Sequence, residues 1–282
     1  MFVRPLRSML YIPGSKARAL EKARELPADA IIFDLEDAVA PEEKAAARQL
    51  LSDMLAEGGY GRRMRIVRIN ALDTDWGRAD AEAAAAMDCD AVLVPKVDGP
   101  ADVAAVRGIL GERPIWAMME TPRGCLDALA IAGAPGMAGF VMGTNDLAKE
   151  LGARFRADRL PMIAALSTCL MAARAAGIPC IDGVYNAFRD DEGLRAECEQ
   201  GRDMGMDGKT VIHPAQIDIA NTVFAPTEAE IALAGRHIAA FDAAVAAGQG
   251  VAVVDGKIVE NLHVASARAL IARAEAITAM GN

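Results

Sequence analysis

The chain has 282 residues, enough for one large α/β domain or two modest ones. Apolar residues make up 53% of it but aromatic ones only 4%, so Ala, Val, Ile and Leu must fill the core, as in parallel strands covered by Ala-rich helices. With 39 acidic against 30 basic side chains the net charge is −9, which argues against nucleic acid and anionic membrane surfaces as partners.

An anionic substrate would need a local cluster of cations. No apolar run approaches the roughly 20 residues of a membrane span. The start, Met1-Phe2-Val3-Arg4-Pro5, lacks the apolar core of a signal peptide. Cys89, Cys125, Cys169, Cys180 and Cys198 are scattered without a CxxC spacing, so neither zinc nor a disulfide framework is expected. Reduced thiols in the cytoplasm are the expectation.

In chain order, Ser8 to Ile12 is a short apolar run ending at Pro13-Gly14-Ser15, and a helical pattern follows from Lys16 to Leu26. Ala30 to Phe33 is a second run, ending in Asp34-Leu35-Glu36-Asp37; Pro41-Glu42-Glu43 then opens a helix whose early acids suit its dipole. Met64 to Ile69 carries Arg68 and Asn70 at its end, and Asp90 to Val94 ends in Pro95-Lys96. The fifth run, Ile115 to Met119, stops abruptly at Glu120, and the sixth, from Gly139 to Met142, leads to Asn145-Asp146. Ile178 to Ile181 precedes Asp182-Gly183, and Gly208 to Ile212 precedes His213-Pro214.

Eight buried runs alternate with helical segments at roughly the 25–35-residue period of a βα unit. An open doubly wound sheet shares that alternation, but it seldom ends every strand in polar residues. A (β/α)8 TIM barrel gathers all strand tips on one face, so a barrel over residues 1–225 is expected. Beyond Pro226 the texture changes. Thr227 with Glu230 reads as a capping box, and its helix runs to about Ala247. Val251 to Val259 reads as a hairpin around Asp255-Gly256, with a last helix from about His263 to Ala279. Residues 226–282 thus form an extension, expected to serve in oligomerisation and as a lid over the barrel's own mouth or over a neighbouring subunit's.

Glu120 and Asp146 stand at the tips of consecutive strands, close enough to share one hard cation, which Mg²⁺ would satisfy with water and substrate oxygens. Each could instead cap the helix after it. That fits Asp146, which Leu147-Ala148-Lys149 follows, better than Glu120, where Thr121 and Pro122 intervene. Asp34, Glu36 and Asp37 are too dense for a buried strand end unless cations or a metal's waters meet them, so Glu36 and Asp37 are candidates to orient a metal's water, while salt bridging of the three acids to Arg68 and Lys96 is the other reading, and both can hold. Arg68 suits bidentate binding of a carboxylate. Pro13-Gly14-Ser15-Lys16 before a helix, with Arg18 and Lys22 a turn apart, offers N–H groups and cations to a phosphate, although it lacks the P-loop pattern. His213 reads equally as a rim group or a base; His237 and His263 read as surface helix residues.

Together these tips resemble the HpcH/HpaI aldolase and citrate lyase β-subunit superfamily, in particular its malyl-CoA lyase and thioesterase branch. The resemblance covers almost the whole chain. It rests on Tyr11-Ile12-Pro13-Gly14-Ser15, Asp34-Leu35-Glu36-Asp37-Ala38-Val39, Val67-Arg68-Ile69-Asn70, Val94-Pro95-Lys96-Val97, Met119-Glu120-Thr121, Gly143-Thr144-Asn145-Asp146, Asp182-Gly183 and Ile212-His213-Pro214. It implies Mg²⁺, or Mn²⁺ in its place, at Glu120 and Asp146, and a homotrimer or homohexamer. It also implies an acyl-CoA near Tyr11, Lys16, Lys22, Asn145, Asp146, Ile212 and His213, with Arg68 on the small acid unit.

One position departs from the lyase pattern. Lyases of this family place an Asp on the lid a few residues after the hairpin Gly and lend it to a neighbouring subunit. Here Gly256-Lys257-Ile258-Val259 is followed by Glu260. A carboxylate displaced by about one methylene disfavours carbon–carbon cleavage and suits a water-orienting role. The resemblance therefore implies hydrolysis of (3S)-malyl-CoA to malate and CoA. Reversible cleavage of malyl-CoA, β-methylmalyl-CoA or citramalyl-CoA is the alternative, and a partner-dependent or non-catalytic subunit of a multi-component lyase is a third reading.

Overall fold

The computed structural model describes residues 4–281; Met1 to Val3, read above as no part of a signal peptide, lie outside them. The described residues fall into two compact units, one spanning Leu6–Phe224 and one made of Ala225 onward together with Arg4 and Pro5.

In the first unit eight strands are hydrogen-bonded in sequence order into a closed barrel. They are β1 (Ser8–Pro13), β2 (Ala30–Asp34), β3 (Met64–Arg68), β4 (Ala91–Val94), β5 (Ile115–Met119), β6 (Met137–Met142), β7 (Cys180–Asp182) and β8 (Gly208–Val211). Every pair is parallel, and β1 closes on β8 with Ser8 opposite Lys209 and Leu10 opposite Val211. Between and after the strands run α1 (Ala17–Ala23), α2 (Lys44–Glu57), α3 (Gly77–Ala86), α4 (Pro100–Leu110), α5 (Pro122–Leu126), α6 (Ala128–Ala132), α7 (Thr144–Glu150), α8 (Ile163–Ala176), α9 (Asp191–Met204) and α10 (Ile217–Phe224). This is the expected (β/α)8 architecture.

Alternation along the strands splits the apolar residues into two cores. Met9, Ile32, Ile66, Leu93, Trp116 and Ile181 belong to the cluster that fills the barrel, whereas Leu10, Ile31, Phe33, Val67, Val92 and Phe140 pack with the helices. Trp116 is the largest plug. Gly139 makes room for it, because a Cβ there would lie 2.6 Å from the indole.

Several boundaries differ from expectation, among them the sixth strand, which begins at Met137 rather than Gly139. The seventh strand begins at Cys180 rather than Ile178. Gly177 takes a left-handed conformation to close α8, and the Ile178 N–H is spent on the Ala173 carbonyl at 3.0 Å. The turn at Pro41 is a single 3₁₀ turn, with the α-helix proper starting at Lys44.

The second unit holds α11 (Glu228–Ala246), β9 (Ala252–Val254), β10 (Lys257–Val259) and α12 (Asn261–Met280). Thr227 and Glu230 form the expected capping box. Asp255 and Gly256 both have positive φ, 50° and 75°, the type I′ hairpin signature, and Arg236 clamps the Asp255 carboxylate with two bonds of 2.8 Å. α12 begins two residues earlier than expected. His263 is a cap rather than a bare surface residue, since its Nδ1 accepts the Glu260 N–H at 3.0 Å. No helix among the described residues is long and apolar enough to cross a membrane.

Candidate functional site

Side-chain alternation carries four polar groups to the top of the barrel. On β2, Ala30 and Ile32 face inward and Asp34 is the next residue of that parity; Arg68 follows Met64 and Ile66 in the same way, Glu120 follows Trp116 and Met118, and Tyr11 follows Met9. All four line a cavity of about 340 Å³, joined from the later strands by Asn145, Asp146 and Ile212. The convergence of Glu120 and Asp146 read from the sequence is thus realised on one face.

Arg68 is held harder than expected. Its Nε and Nη2 donate to the two oxygens of Asp34 at 2.7 and 2.6 Å, because the strand register sets Asp34 directly opposite Arg68. Nη1 lies 2.8 Å from Glu36 Oε2 and 3.5 Å from Asp37 Oδ2. The fork expected to grip a substrate carboxylate is therefore committed within the protein, and only the Nη1 edge faces the exposed Asp37 side. Asp34 accepts two further bonds, from the Glu36 and Ala38 N–H groups, so it organises the whole acidic loop. Buried Lys44 pins that loop from behind by donating to the Leu35 and Glu36 carbonyls at 3.0 and 2.9 Å.

Lys96 was legible only as an ion-pair partner; in the structure it is a hub. It takes a left-handed conformation with φ 52°, unusual for a residue with a Cβ. That bend turns its N–H onto Glu120 Oε1 at 2.8 Å while its ammonium reaches Glu36 Oε1 and comes within 3.9 Å of Asp146 Oδ2.

Among the described residues, Asp34, Glu36, Asp37, Glu120 and Asp146 pair with Arg68 and Lys96, five acids on two cations. The imbalance registers on Glu120, whose pKa is pushed up to about 7 by burial first and by the Glu36 charge second. Glu36 is also raised, chiefly by burial, with Arg68 opposing. A cation between Glu120 and Asp146 would relieve this. Among the described residues no three His, Cys, Asp or Glu converge as a ready-made metal cage, so such an ion would complete its shell with water and substrate oxygens. Gly143 permits the arrangement, because a Cβ there would fall 2.5 Å from both Cβ and Oε2 of Glu120.

The remaining expected residues lie further out. Lys16 and Lys22 are exposed, Lys16 just before α1 and Lys22 in its last turn, and Lys16 Nζ is 3.7 Å from Glu43. The backbone before α1 offers less to an anion than expected, since the Gly14 N–H is bonded to the Asp34 carbonyl and the Lys16 N–H to that of Pro13. Asn145 exchanges amide bonds with Asn186, at 3.2 and 2.7 Å. His213 is the rim cap, not a poised base: its Nδ1 accepts the Ala215 N–H at 3.2 Å and its ring stacks on Phe188. Glu260 is exposed in the second unit.

A second buried network surrounds the Asp182-Gly183 strand tip, with Lys209, Arg159 and Glu197 as partners that the sequence does not announce. Lys209 Nζ donates to Asp182, Glu197 and the Gly183 carbonyl at 3.2, 2.7 and 2.6 Å, and Arg159 Nη1 donates to both Asp182 oxygens at 2.7 and 2.8 Å. Burial alone would raise the Asp182 pKa, but Lys209 and Arg159 hold it below the ordinary carboxylate value. This network fixes Gly183, whose bare Cα lets Thr144 and the start of α7 sit against β7.

Comparison with known proteins agrees with this architecture. The model of the HpcH/HpaI aldolase/citrate lyase family matches residues 7–214. The chain is 66% identical over 275 residues to a (3S)-malyl-CoA thioesterase of Cereibacter sphaeroides, covering 98% of this chain and 96% of the relative. It is 36% identical to the citrate lyase subunit beta of Escherichia coli, over 96% of this chain and 94% of that one. Among solved structures, protein CitE of Mycobacterium tuberculosis in complex with magnesium, acetoacetate and coenzyme A superposes with a TM-score of 0.83 at 31% identity, covering 97% of this chain and 100% of that chain. The barrel, its polar tips and these relatives together make the chain a member of the HpcH/HpaI aldolase/citrate lyase family.

Proposed function

We propose that this enzyme is a Mg²⁺-dependent (3S)-malyl-CoA thioesterase, hydrolysing malyl-CoA to malate and CoA. The observation that carries the reading is near-full-length identity of 66% to a thioesterase of that specificity. The acid cavity supports it. Glu120 and Asp146 would hold the ion, where it supplies positive charge that polarises a substrate oxygen and stabilises negative charge developing there.

The chain's own groups do the rest. The Arg68 guanidinium, whose Nη1 is paired with Glu36 on the Asp37 side, and the Lys96 ammonium supply positive charge towards the small acid, Asn145 positions its oxygens, and the Tyr11 ring and Ile212 form the cavity wall. Lys16 and Lys22 meet the phosphates of CoA outside the cavity, with His213 at the rim. Glu260, lent by the C-terminal extension of a neighbouring copy in a homotrimer or homohexamer, orients a water towards the thioester carbon and takes its proton. The water oxygen bonds to that carbon, the C–S bond breaks, and the sulfur leaves as a thiolate that accepts the proton. No strong acid is needed, because a thiolate of pKa roughly 8.5 is a competent leaving group.

The likeness to citrate lyase subunit beta favours carbon–carbon cleavage as the second reading. One assay separates the two. Malyl-CoA and Mg²⁺ are incubated with the protein while free thiol and glyoxylate are followed independently. Thiol without glyoxylate is expected; glyoxylate in step with acetyl-CoA would replace hydrolysis by cleavage.

A further inference from the structure

The acid cavity has a neighbour. A second chamber of about 410 Å³ lies beside it, and the two share Thr144, Val184 and Asn186 in their walls. Beyond that wall Phe155, Ala157, Met162 and Ala187 give the chamber an apolar side, and Arg156, Arg159 and Glu197 also line it.

The partition is slight. Asn145, the second residue of α7, and Asn186, in the connection after β7, exchange two amide hydrogen bonds across it. Both residues are exposed, so water competes for each bond and the pair adds little net stability. As a steric element the pair is nonetheless well defined, because reciprocal bonds fix the orientation of both amides at once. Lys209 donates to the Gly183 carbonyl and Thr144 sits against the bare Gly183 Cα, so that part of the wall is tied to the buried network, whereas the Asn186 side chain is held across the partition by Asn145.

We propose that Asn186 is a specificity-determining residue: locked to Asn145, it closes the acid cavity against the apolar side of this chamber and thereby confines the acyl group to short, unbranched hydroxy acids. The inference rests on the thioester reading above and concerns which acyl groups that site admits. An apolar branch on the acyl chain would otherwise extend into the chamber and gain by leaving water.

The test compares malyl-CoA with β-hydroxyacyl-CoA thioesters bearing an added ethyl or propyl branch, in wild type, Asn186→Ala, Ala187→Phe and the double variant. Asn186→Ala also releases Asn145, so the ratio of kcat/KM values is read rather than either rate. Asn186→Ala is expected to raise the branched-to-unbranched ratio by about tenfold or more, the worth of one or two buried methylenes. Adding Ala187→Phe puts a large ring into the chamber lining and should return the ratio to that of wild type. A ratio within twofold of wild type in Asn186→Ala, or a gain that Ala187→Phe leaves intact, overturns the proposal. Binding of the corresponding non-hydrolysable thioether analogues, measured by calorimetry, must follow the same ordering. A wild type that binds these analogues but turns over no malyl-CoA would count against the thioesterase reading alone, and the binding ratios would still decide the role of Asn186.

Discussion

Gly143→Ala perturbs the proposed metal site by a single methyl group. The backbone at Gly143 has φ −94°, which alanine accepts, so the consequence is steric rather than conformational. The new Cβ would stand 2.5 Å from both Cβ and Oε2 of Glu120 and 3.0 Å from Met118 Cε. Ordinary contact needs about 3.5 Å, so the Glu120 side chain must retreat by roughly 1 Å. Its hydrogen bond to the Lys96 N–H resists retreat along one path and the packed barrel interior along the other. A misplacement of that size costs about a hundredfold in rate, near 2.7 kcal/mol, with a further ~1–3 kcal/mol of stability lost to overpacking. The assay is kcat/KM with malyl-CoA across a Mg²⁺ titration, alongside metal affinity by calorimetry and thermal unfolding. A variant that keeps kcat/KM and Mg²⁺ affinity within twofold of wild type would refute the placement of Glu120 at the metal.

Further expectations follow from the same geometry. The Glu120 carboxyl titrates near pH 7 in the metal-free fold against an ordinary 4.5, so the native state binds the extra proton. Metal-free stability should therefore fall as pH rises from about 4.5 to about 7, by an amount on the order of 3 kcal/mol from this group. Unfolding in EDTA across that range checks it: Glu120→Gln should flatten the slope, and Mg²⁺ should remove it in wild type. Below pH 7, Mg²⁺ binding should release a proton and weaken with acidity, which calorimetry in buffers of different ionisation enthalpy reads directly. Replacing Lys16 and Lys22 with Ala should raise KM for malyl-CoA several-fold with little change in kcat, and the difference should shrink as salt is added. Lys209→Met should lower the unfolding free energy by about 3–5 kcal/mol, because Asp182 and Glu197 lose a fully buried partner. Denaturant melts would show it, and a loss under 1 kcal/mol would mean that Arg159 compensates unaided.

The barrel was legible because each buried strand announces itself twice, by an apolar run and by a polar residue at its tip. Glu120 and Asp146 could be paired for the same reason: consecutive strands of a parallel barrel are neighbours. What escaped was the competition among groups brought together only by strand register. Arg68 reads either as a carboxylate ligand or as a partner of the acidic strand end, and the register that sets Asp34 opposite it commits its fork to the second role. Lys96 has a side chain that suggests a simple ion pair, yet its left-handed backbone, invisible in the sequence, makes its amide as consequential as its ammonium. Asn145 and Asn186 are 41 positions apart and carry no charge, so no pattern links them before the chain is folded. At His213 the sequence leaves rim group and base equally open, and the turn at Pro214 takes its Nδ1 as a cap.

The unusual backbone of Lys96 also bears on how this protein can be improved. At φ 52° any residue with a Cβ is strained by on the order of 1 kcal/mol or more, and glycine is relieved of that penalty. A screen for thermal tolerance run without substrate would thus enrich Lys96→Gly. Such a clone would keep the amide that holds Glu120 and lose the ammonium that spans Glu36 and Asp146, trading turnover for heat resistance. Position 96 is therefore one to exclude from stabilising libraries, and its enrichment in an activity-blind selection would be a warning rather than a success.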